Sequence, residues 1–266
     1  MKWWPSVVSL EIRKILAYRS DFWVTFVGQT LIQLFVARAL WQSIFESQHV
    51  TQMNGLNLET ISLYYLVVSI GNKILIGENI GFISRDIYQG TFTRYLIYPL
   101  SVFQYKTLTY LTHSVFYALQ LIFITTIYQL FTTQAFSLGH LSHIFLGTAL
   151  FLFAAFTYCM MATFIELIAL WAENIWSLMV LLRFTSSFLG GGLIPLSFFP
   201  DWSLQILNLT PFPYLISLPT RTILGSASLE EVIQGGFILL AWGILGRVLV
   251  HLIWKLGQKQ YTGVGI

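Results

Sequence analysis

Six apolar stretches run through this chain of 266 residues, and each is long enough to cross a lipid bilayer as a helix. The hydrocarbon core of a bilayer is about 30 Å thick, which takes about 20 helical residues at about 1.5 Å each. The predicted spans are approximately residues 22–45, 61–82, 107–131, 144–167, 175–194 and 232–254. The sequence therefore predicts an all-α polytopic membrane protein with six transmembrane helices.

The composition favours this class and excludes several others. Apolar residues make up 56% of the chain and charged residues 9%, whereas a soluble domain carries about 25% charged residues. The net charge of +3 arises from 14 basic and 11 acidic residues without a basic run, so no nucleic-acid partner is expected. The single cysteine, Cys159, excludes an intrachain disulfide and a thiolate metal cage. Neither a catalytic constellation nor a metal-ligand set is predicted.

Lysine and arginine are divided unevenly between the two sets of loops. If the N-terminus is cytoplasmic, nine of these cations lie in cytoplasmic segments and only Arg221 lies in an outer loop. Cytoplasmic loops carry the excess of cations in membrane proteins, so both termini are predicted to be cytoplasmic. The first apolar stretch begins after residues 1–20 and is too long for the apolar part of a cleavable signal peptide.

Residues 1–20 have the pattern of an amphipathic helix. Apolar residues recur at helical spacing at Val8, Ile12, Ile15 and Leu16, and polar residues lie on the other side at Glu11, Arg13 and Lys14. This pattern predicts a helix in the plane of the headgroups, with Glu11 on its solvated side. The alternative is a frayed polar leader.

The 84–101 loop joins spans two and three and is too long for a simple turn. Its apolar residues, Ile87, Phe92, Leu96 and Ile97, alternate with polar residues, which predicts a short helix with one apolar side. Such a helix suits the docking of a soluble partner. The alternative is an interfacial helix that faces lipid.

The 190–225 segment contains five prolines among several aromatic residues, so it cannot form one continuous helix. It is also too apolar to stand free in water. A re-entrant helical hairpin satisfies both facts, because irregular backbone at membrane depth requires cover from protein or water. The alternative is an interfacial belt of aromatic residues, and the two are compatible.

Four cations lie within predicted spans, one each in spans one, two, five and six: Arg38, Lys73, Arg183 and Arg247. Lys73 and Arg183 are the two candidates for a substrate pathway. Charges inside a membrane are costly and are functional candidates by default. One hypothesis is that they face a polar pathway and meet an anionic substrate. The alternative is that they reach the interface or pair with Glu166, Glu173 or Glu78.

Several short motifs follow one another along the spans: Tyr18-Arg19-Ser20-Asp21-Phe22-Trp23, Arg85-Asp86-Ile87 with Gly90 and Tyr95-Leu96, Pro99-Leu100-Ser101, Ile194-Pro195-Leu196-Ser197-Phe198-Phe199-Pro200, Asn208-Leu209, Pro211-Phe212-Pro213-Tyr214 and Gln260-Tyr261-Thr262-Gly263. In this order they resemble the membrane-spanning subunit of ABC transporters of the ABC-2 exporter type, in a branch formerly catalogued as a family of unknown function. The resemblance covers nearly the whole chain, residues 1–266, as a single transmembrane domain.

The resemblance implies roles for the three segments outside the spans. Residues 1–20 would form an elbow helix, and the 84–101 loop would contain the coupling helix that docks on an ATPase. The implied docking residues are Arg85, Asp86, Ile87, Tyr88, Gly90, Phe92, Arg94, Tyr95 and Leu96. The 190–225 segment would close the extracellular side as a pair of re-entrant helices. The implied gate residues are Pro195, Phe198, Phe199, Trp202, Phe212 and Tyr214.

The resemblance also implies the assembly and its location. The unit would be two permease chains, identical or homologous, with two copies of an ABC ATPase subunit in a bacterial inner membrane. The chain has no G-x-x-x-x-G-K-[ST] motif, so ATP and magnesium are expected on the partner and no enzymatic activity on this chain. The competing function is an ion-coupled secondary transporter, which would favour acidic residues in mid-span or an internal repeat.

Overall fold

The computed structural model describes residues 3–77, 80–98, 100–131, 141–172 and 174–261. These residues are mostly helical, and no β-strand occurs among them. The helices are α1 (Trp4–Ala17), α2 (Arg19–Gln48), α3 (Leu58–Ile76), α4 (Phe82–Tyr88), α5 (Thr93–Leu96), α6 (Val102–Phe131), α7 (Leu141–Leu167), α8 (Trp176–Leu189), α9 (Asp201–Leu207), α10 (Phe212–Leu215), α11 (Ser217–Ile223) and α12 (Leu229–Gly257). A 3₁₀ turn at Ile168–Leu170 extends α7.

Five helices in the described ranges are long and apolar enough to cross a membrane. These candidate spans are Phe22–Gln48, Leu58–Ile76, Val102–Gln129, Leu141–Leu170 and Leu229–Gly257. The fifth predicted span, 175–194, is represented by α8, which has only 14 residues. A helix of this length is about 21 Å long and does not by itself cover the hydrocarbon thickness. The described structure thus has five candidate spans of full length and one shorter apolar helix.

Helix α3 ends earlier than the sequence pattern indicates. The second span was predicted to continue to residue 82, but α3 stops at Ile76 and a new helix begins at Phe82. Gly77 has a φ of 55° and Gly81 a φ of 92°, a left-handed conformation that favours glycine. The prediction was wrong here because hydropathy does not detect a change of chain direction inside an apolar stretch.

Helix α7 is the centre of the bundle. It contacts α3, α6, α11 and α12, and most of its residues are buried. The backbones approach closely at Gly147, where an added methyl carbon would lie 2.7 Å from the carbonyl oxygen of Pro219. Helices α2 and α12 lie at the periphery, with most of their apolar residues exposed. Their outer faces are therefore available to lipid or to another chain.

Helix α1 packs along α6 through a face that differs from the one its sequence pattern predicts. Glu11 and Ile15 are its buried residues, while Leu10 and Leu16 are about half exposed. The Glu11 carboxylate accepts a hydrogen bond from Lys14 Nζ at 2.7 Å, and its second oxygen lies 3.4 Å from Nε2 of His113 on α6. The hydrogen bond to Glu11 raises the pKa of Lys14. The prediction that Glu11 faces solvent was wrong, because α6 presents a polar partner that local periodicity does not reveal.

Candidate functional site

The chain between α3 and α6 folds around one carboxylate, that of Asp86. This side chain is buried, and its Oδ2 accepts hydrogen bonds of 2.8 Å from both Arg94 Nη2 and the Tyr95 hydroxyl. The hydroxyl of Thr91 lies 3.2 Å from Oδ1, and the carbonyl oxygen of Asp86 accepts the Phe92 amide at 3.0 Å. These contacts bind α5 back onto α4. The fold of the loop therefore depends on a charged network in its interior.

An aromatic cluster packs against the buried side of the loop between α3 and α6. Phe92 is fully buried, and its ring centroid lies 5.8 Å from that of Trp254 and 5.3 Å from that of Tyr261. The Tyr261 hydroxyl also lies 3.0 Å from that of Thr93. Burial, together with the hydrogen bond to Asp86, raises the pKa of Tyr95 to about 12, so its hydroxyl remains a donor at neutral pH. The end of α12 thus forms part of the loop's base.

A buried ion pair connects the loop to two long helices. Glu166 of α7 accepts Lys106 Nζ of α6 at 2.7 Å, and both side chains are almost completely inaccessible. The same carboxylate accepts the Gly81 amide at 2.6 Å and the Ile83 amide at 3.1 Å, at the start of α4. A carboxylate is favourable there because the first amides of a helix lack internal partners. One side chain therefore joins α4, α6 and α7.

Sequence reasoning missed this pair. Glu166 was considered as a partner for Lys73 or Arg183, and Lys106 only as a cytoplasmic cation. The two residues are 60 positions apart, and the only signal is that each lies near the same end of a predicted span. An ion pair between distant helices follows from their packing and not from any local motif.

The nine predicted docking residues divide into two groups. Arg85, Tyr88 and Arg94 are exposed and Gly90 is half-buried, whereas Asp86, Ile87, Phe92 and Tyr95 are buried within the loop itself. The side chain of Leu96 lies outside the described part of the structure. Ile97, predicted on the same apolar side as Ile87 and Phe92, is instead 81% exposed, next to half-exposed Tyr98. Arg85, Tyr88, Arg94, Ile97 and Tyr98 are exposed, and after the docking role that the sequence predicts for this loop we call these five residues the docking surface.

At the opposite end of the bundle, the 190–225 segment forms a hairpin of three short helices, α9 to α11. Three side chains tie it to the region where α3 begins. The Tyr64 hydroxyl donates to the Gly191 carbonyl at 2.8 Å, the Tyr65 hydroxyl donates to the Leu193 carbonyl at 2.7 Å, and Asn54 Nδ2 donates to the Ser197 carbonyl at 2.8 Å. Sequence reasoning missed both tyrosines. The available signal was a hydroxyl inside an apolar span, which usually requires a partner.

The predicted gate residues lie in this hairpin but not in one cluster. The Phe198 ring lies 4.9 Å from that of Trp41 on α2, and the Phe199 ring lies 5.3 Å from that of Phe188 on α8. Tyr214 donates to the Asn208 carbonyl at 3.0 Å. Pro195 is buried, Phe212 is half-buried and Trp202 is mostly exposed. The structure thus distributes them between helix contacts and the surface.

A cavity of about 710 Å³ opens between the hairpin, residues 54–56 and the start of α12. Its lining includes Pro195 and Tyr214 together with several amide and hydroxyl side chains. Across it, Arg221 Nη2 donates to both carboxylate oxygens of Glu231, at 3.0 and 3.1 Å. This cavity is large enough for a small ligand, and its wall combines polar side chains with a larger apolar surface.

The two pathway candidates, Lys73 and Arg183, lie elsewhere. Lys73 is half-buried in the last turn of α3, and Arg183 is exposed on α8, where it interacts with the Tyr158 hydroxyl. Neither residue lines the hairpin cavity. Glu166, one of the three acidic partners predicted for them, pairs with Lys106 in the described structure. Glu78 and Glu173 lie outside the described residues.

Five long apolar helices, the short helices of the 190–225 segment and a compact loop between α3 and α6 define a polytopic helical membrane protein. The family model described as ABC-2 family transporter protein matches residues 31–265, and the chain belongs to this family. It is therefore a transporter permease, a class that works with an ABC ATPase. No curated protein and no solved structure matched the chain.

Proposed function

We propose that this chain is the permease subunit of an ATP-driven exporter, that it forms the substrate pathway with a second permease chain, identical or homologous, and that it docks on an ATPase present in two copies. ATP and magnesium would bind that partner, and this chain would perform no chemistry. The observation that carries the proposal is the loop between α3 and α6. It presents exposed residues on a base fixed by Asp86 and by the buried pair of Lys106 and Glu166.

The loop has the connections that a mechanical lever requires. Its first helix is held by Glu166 of α7, which also binds Lys106 of α6, and its centre packs on Trp254 of α12. A displacement of the docking surface would therefore act on three long helices together. Coupling of this kind needs two packed arrangements that the partner favours to different degrees.

We further propose six membrane crossings with both termini in the cytoplasm. Helix α8 would supply the one crossing that is not among the five candidate spans, although it has only 14 residues. Ile175, just before α8, packs in the apolar cluster with Ile83 and Ile87 of α4. After α8, Gly191 accepts from Tyr64 and Ser197 from Asn54, at the other end of α3. The hairpin would complete the thickness as the re-entrant extracellular gate, and α1 would be the elbow helix.

Lys73 and Arg183 remain candidates for the substrate pathway under this proposal. The exposure of Arg183 supports the idea, since α8 and α2 have the unpartnered apolar faces that a second permease chain would cover. Reversing the charge with Arg183→Glu should reduce transport if the guanidinium meets an anionic substrate. Unchanged transport in a correctly inserted variant would exclude that role.

The docking surface is tested by purifying the tagged permease from native membranes with its associated proteins. We expect an ABC ATPase to co-purify with the wild type. Ile97→Glu should reduce its recovery about tenfold, because a buried charge at an interface costs more than about 1.4 kcal/mol. Val50→Glu is the matched control, since Val50 is an exposed aliphatic residue in the loop between α2 and α3. It should leave the recovery unchanged.

Two results would contradict the proposal. Equal recovery from the two variants would remove the docking role of this surface. Transport by the purified chain in vesicles, driven by an ion gradient without any ATPase, would favour the secondary transporter instead.

A further inference from the structure

A second cavity lies in the angle between α1, the start of α2 and the middle of α6. Its volume is about 390 Å³, within the range of about 300–1,000 Å³ that ligand pockets occupy. The walls are apolar, with Ile15 and Leu16 from α1, Phe22 and Trp23 from α2, and Phe116 and Phe123 from α6. Several of these side chains are exposed on the outer face of the membrane-crossing helices. The cavity therefore opens toward the bilayer.

One polar side chain in this wall has no partner. Gln120 of α6 is only 5% exposed, and neither its Oε1 nor its Nε2 has a hydrogen bond in the described structure. An amide buried without partners is costly, and more so where no water is available. A carboxamide can donate two hydrogen bonds and accept others. Gln120 lines the cavity, although its amide atoms are themselves covered, so a rotation of the side chain would bring the amide to a polar group of a ligand at this depth.

A single cation, Arg19, contributes to the same cavity. It is exposed at the junction of α1 and α2, where the chain turns from the first helix into the first span. Guanidinium groups bind phosphate well because their donors match its oxygen atoms. The cavity thus combines an anion-binding group, a buried amide and an apolar surface of aromatic and aliphatic side chains.

We propose that this cavity binds one anionic glycerophospholipid. Its phosphate would lie at Arg19, an ester carbonyl would accept a hydrogen bond from Gln120 Nε2, and an acyl chain would run along Trp23, Phe116 and Phe123. A lipid is the occupant that these observations favour, because the cavity opens on a lipid-facing surface and needs all three chemistries in one molecule. The bound lipid would fill the angle between α1 and α6 and hold the second half of α1 in place.

This inference depends on membrane insertion but not on ATPase docking. Native mass spectrometry of the purified permease complex should detect about one retained phosphatidylglycerol per chain. After delipidation, added phosphatidylglycerol should raise the melting temperature more than phosphatidylcholine does. Arg19→Gln should weaken phosphatidylglycerol binding about tenfold, the usual effect of losing a charged hydrogen bond. Arg13→Gln is the matched control, because Arg13 is an exposed arginine of α1 outside the cavity.

Gln120→Leu separates a binding role from a structural one. The substitution removes an unsatisfied buried amide, so the delipidated variant should be at least as thermostable as the wild type. Its stabilisation by phosphatidylglycerol should be largely lost. Equal stabilisation of wild type, Arg19→Gln and Gln120→Leu would overturn the proposal. So would an equal loss of binding in Arg13→Gln, which would indicate only general attraction between the basic helix and the membrane, or a polypeptide found in the cavity in place of lipid.

Discussion

Gly147 is a position where the backbones of α7 and α11 approach closely. An added methyl carbon would lie 2.7 Å from the Pro219 carbonyl oxygen, and a backbone group cannot move aside as the end of a side chain can. We expect Gly147→Ala to lower the free energy of unfolding by about 1–3 kcal/mol, the usual cost of overpacking. Thermal denaturation in detergent, followed by size-exclusion chromatography, would measure the effect.

Gly236 provides the control for this substitution. An added methyl carbon at Gly236 would meet nothing within 4 Å, although the adjacent Gly235 packs against Tyr214 and Leu218. Gly236→Ala should therefore leave the melting temperature unchanged or raise it, because alanine favours a helix over glycine by up to about 1 kcal/mol. Equal melting temperatures for Gly147→Ala and Gly236→Ala would contradict the close packing of α7 on α11.

At the scale of elements, the loop between α3 and α6 depends on the buried ion pair of Lys106 and Glu166. Removing one partner of a buried pair typically costs about 3–5 kcal/mol, because the other charge is left without compensation. We expect Glu166→Gln to lower the stability by an amount in this range and to expose the loop to limited proteolysis. The double variant Lys106→Met with Glu166→Gln should recover part of the loss, since no uncompensated charge remains.

The pair of Arg221 and Glu231 in the hairpin cavity is a suitable comparison. The side chains of Arg221 and Glu231 are 41% and 43% exposed. Exposed ion pairs contribute only about 0–1 kcal/mol, so Arg221→Gln should change the melting temperature little. If Glu166→Gln and Arg221→Gln had similar effects, the buried pair would not be the anchor of the loop.

The sequence predicts this loop only in part. The apolar character of Ile87 and Phe92 indicates their burial correctly, because hydrophobic spacing reports on the nearest surface. The burial of Asp86 depends on Arg94 and Tyr95, eight and nine positions further along, and the burial of Phe92 depends on Trp254 and Tyr261 near the end of the described chain. Such partners are brought together by the tertiary fold. The local sequence pattern therefore distinguishes helix from loop, but it does not predict which side of a charged loop is exposed.

For the molecule as a whole, hydropathy predicts the long helices well and the α8 region less well. Five predicted stretches correspond to full-length apolar helices. The remaining stretch ends early because its last residues, 190–194, belong to the turn with which the hairpin begins. Length and composition describe single helices, whereas the hairpin is stabilised by contacts with Tyr64 and Tyr65 of another helix. The hydropathy of a single stretch of sequence cannot predict these contacts between distant segments.

Whether α8 crosses the membrane determines on which side the last helix begins. With six crossings, Glu230 at the start of α12 lies outside with Gln52, while Gln258 lies inside with Gln89; with five, Glu230 and Gln258 exchange sides. These four residues are exposed, and Cys159 is fully buried, so single cysteines can be introduced without removing the native one. We expect a membrane-impermeant maleimide to label Gln52→Cys and Glu230→Cys in intact cells, but Gln89→Cys and Gln258→Cys only after permeabilisation. Labelling of Gln258→Cys in intact cells, with Glu230→Cys protected, would mean that α8 does not cross and that the termini face opposite sides.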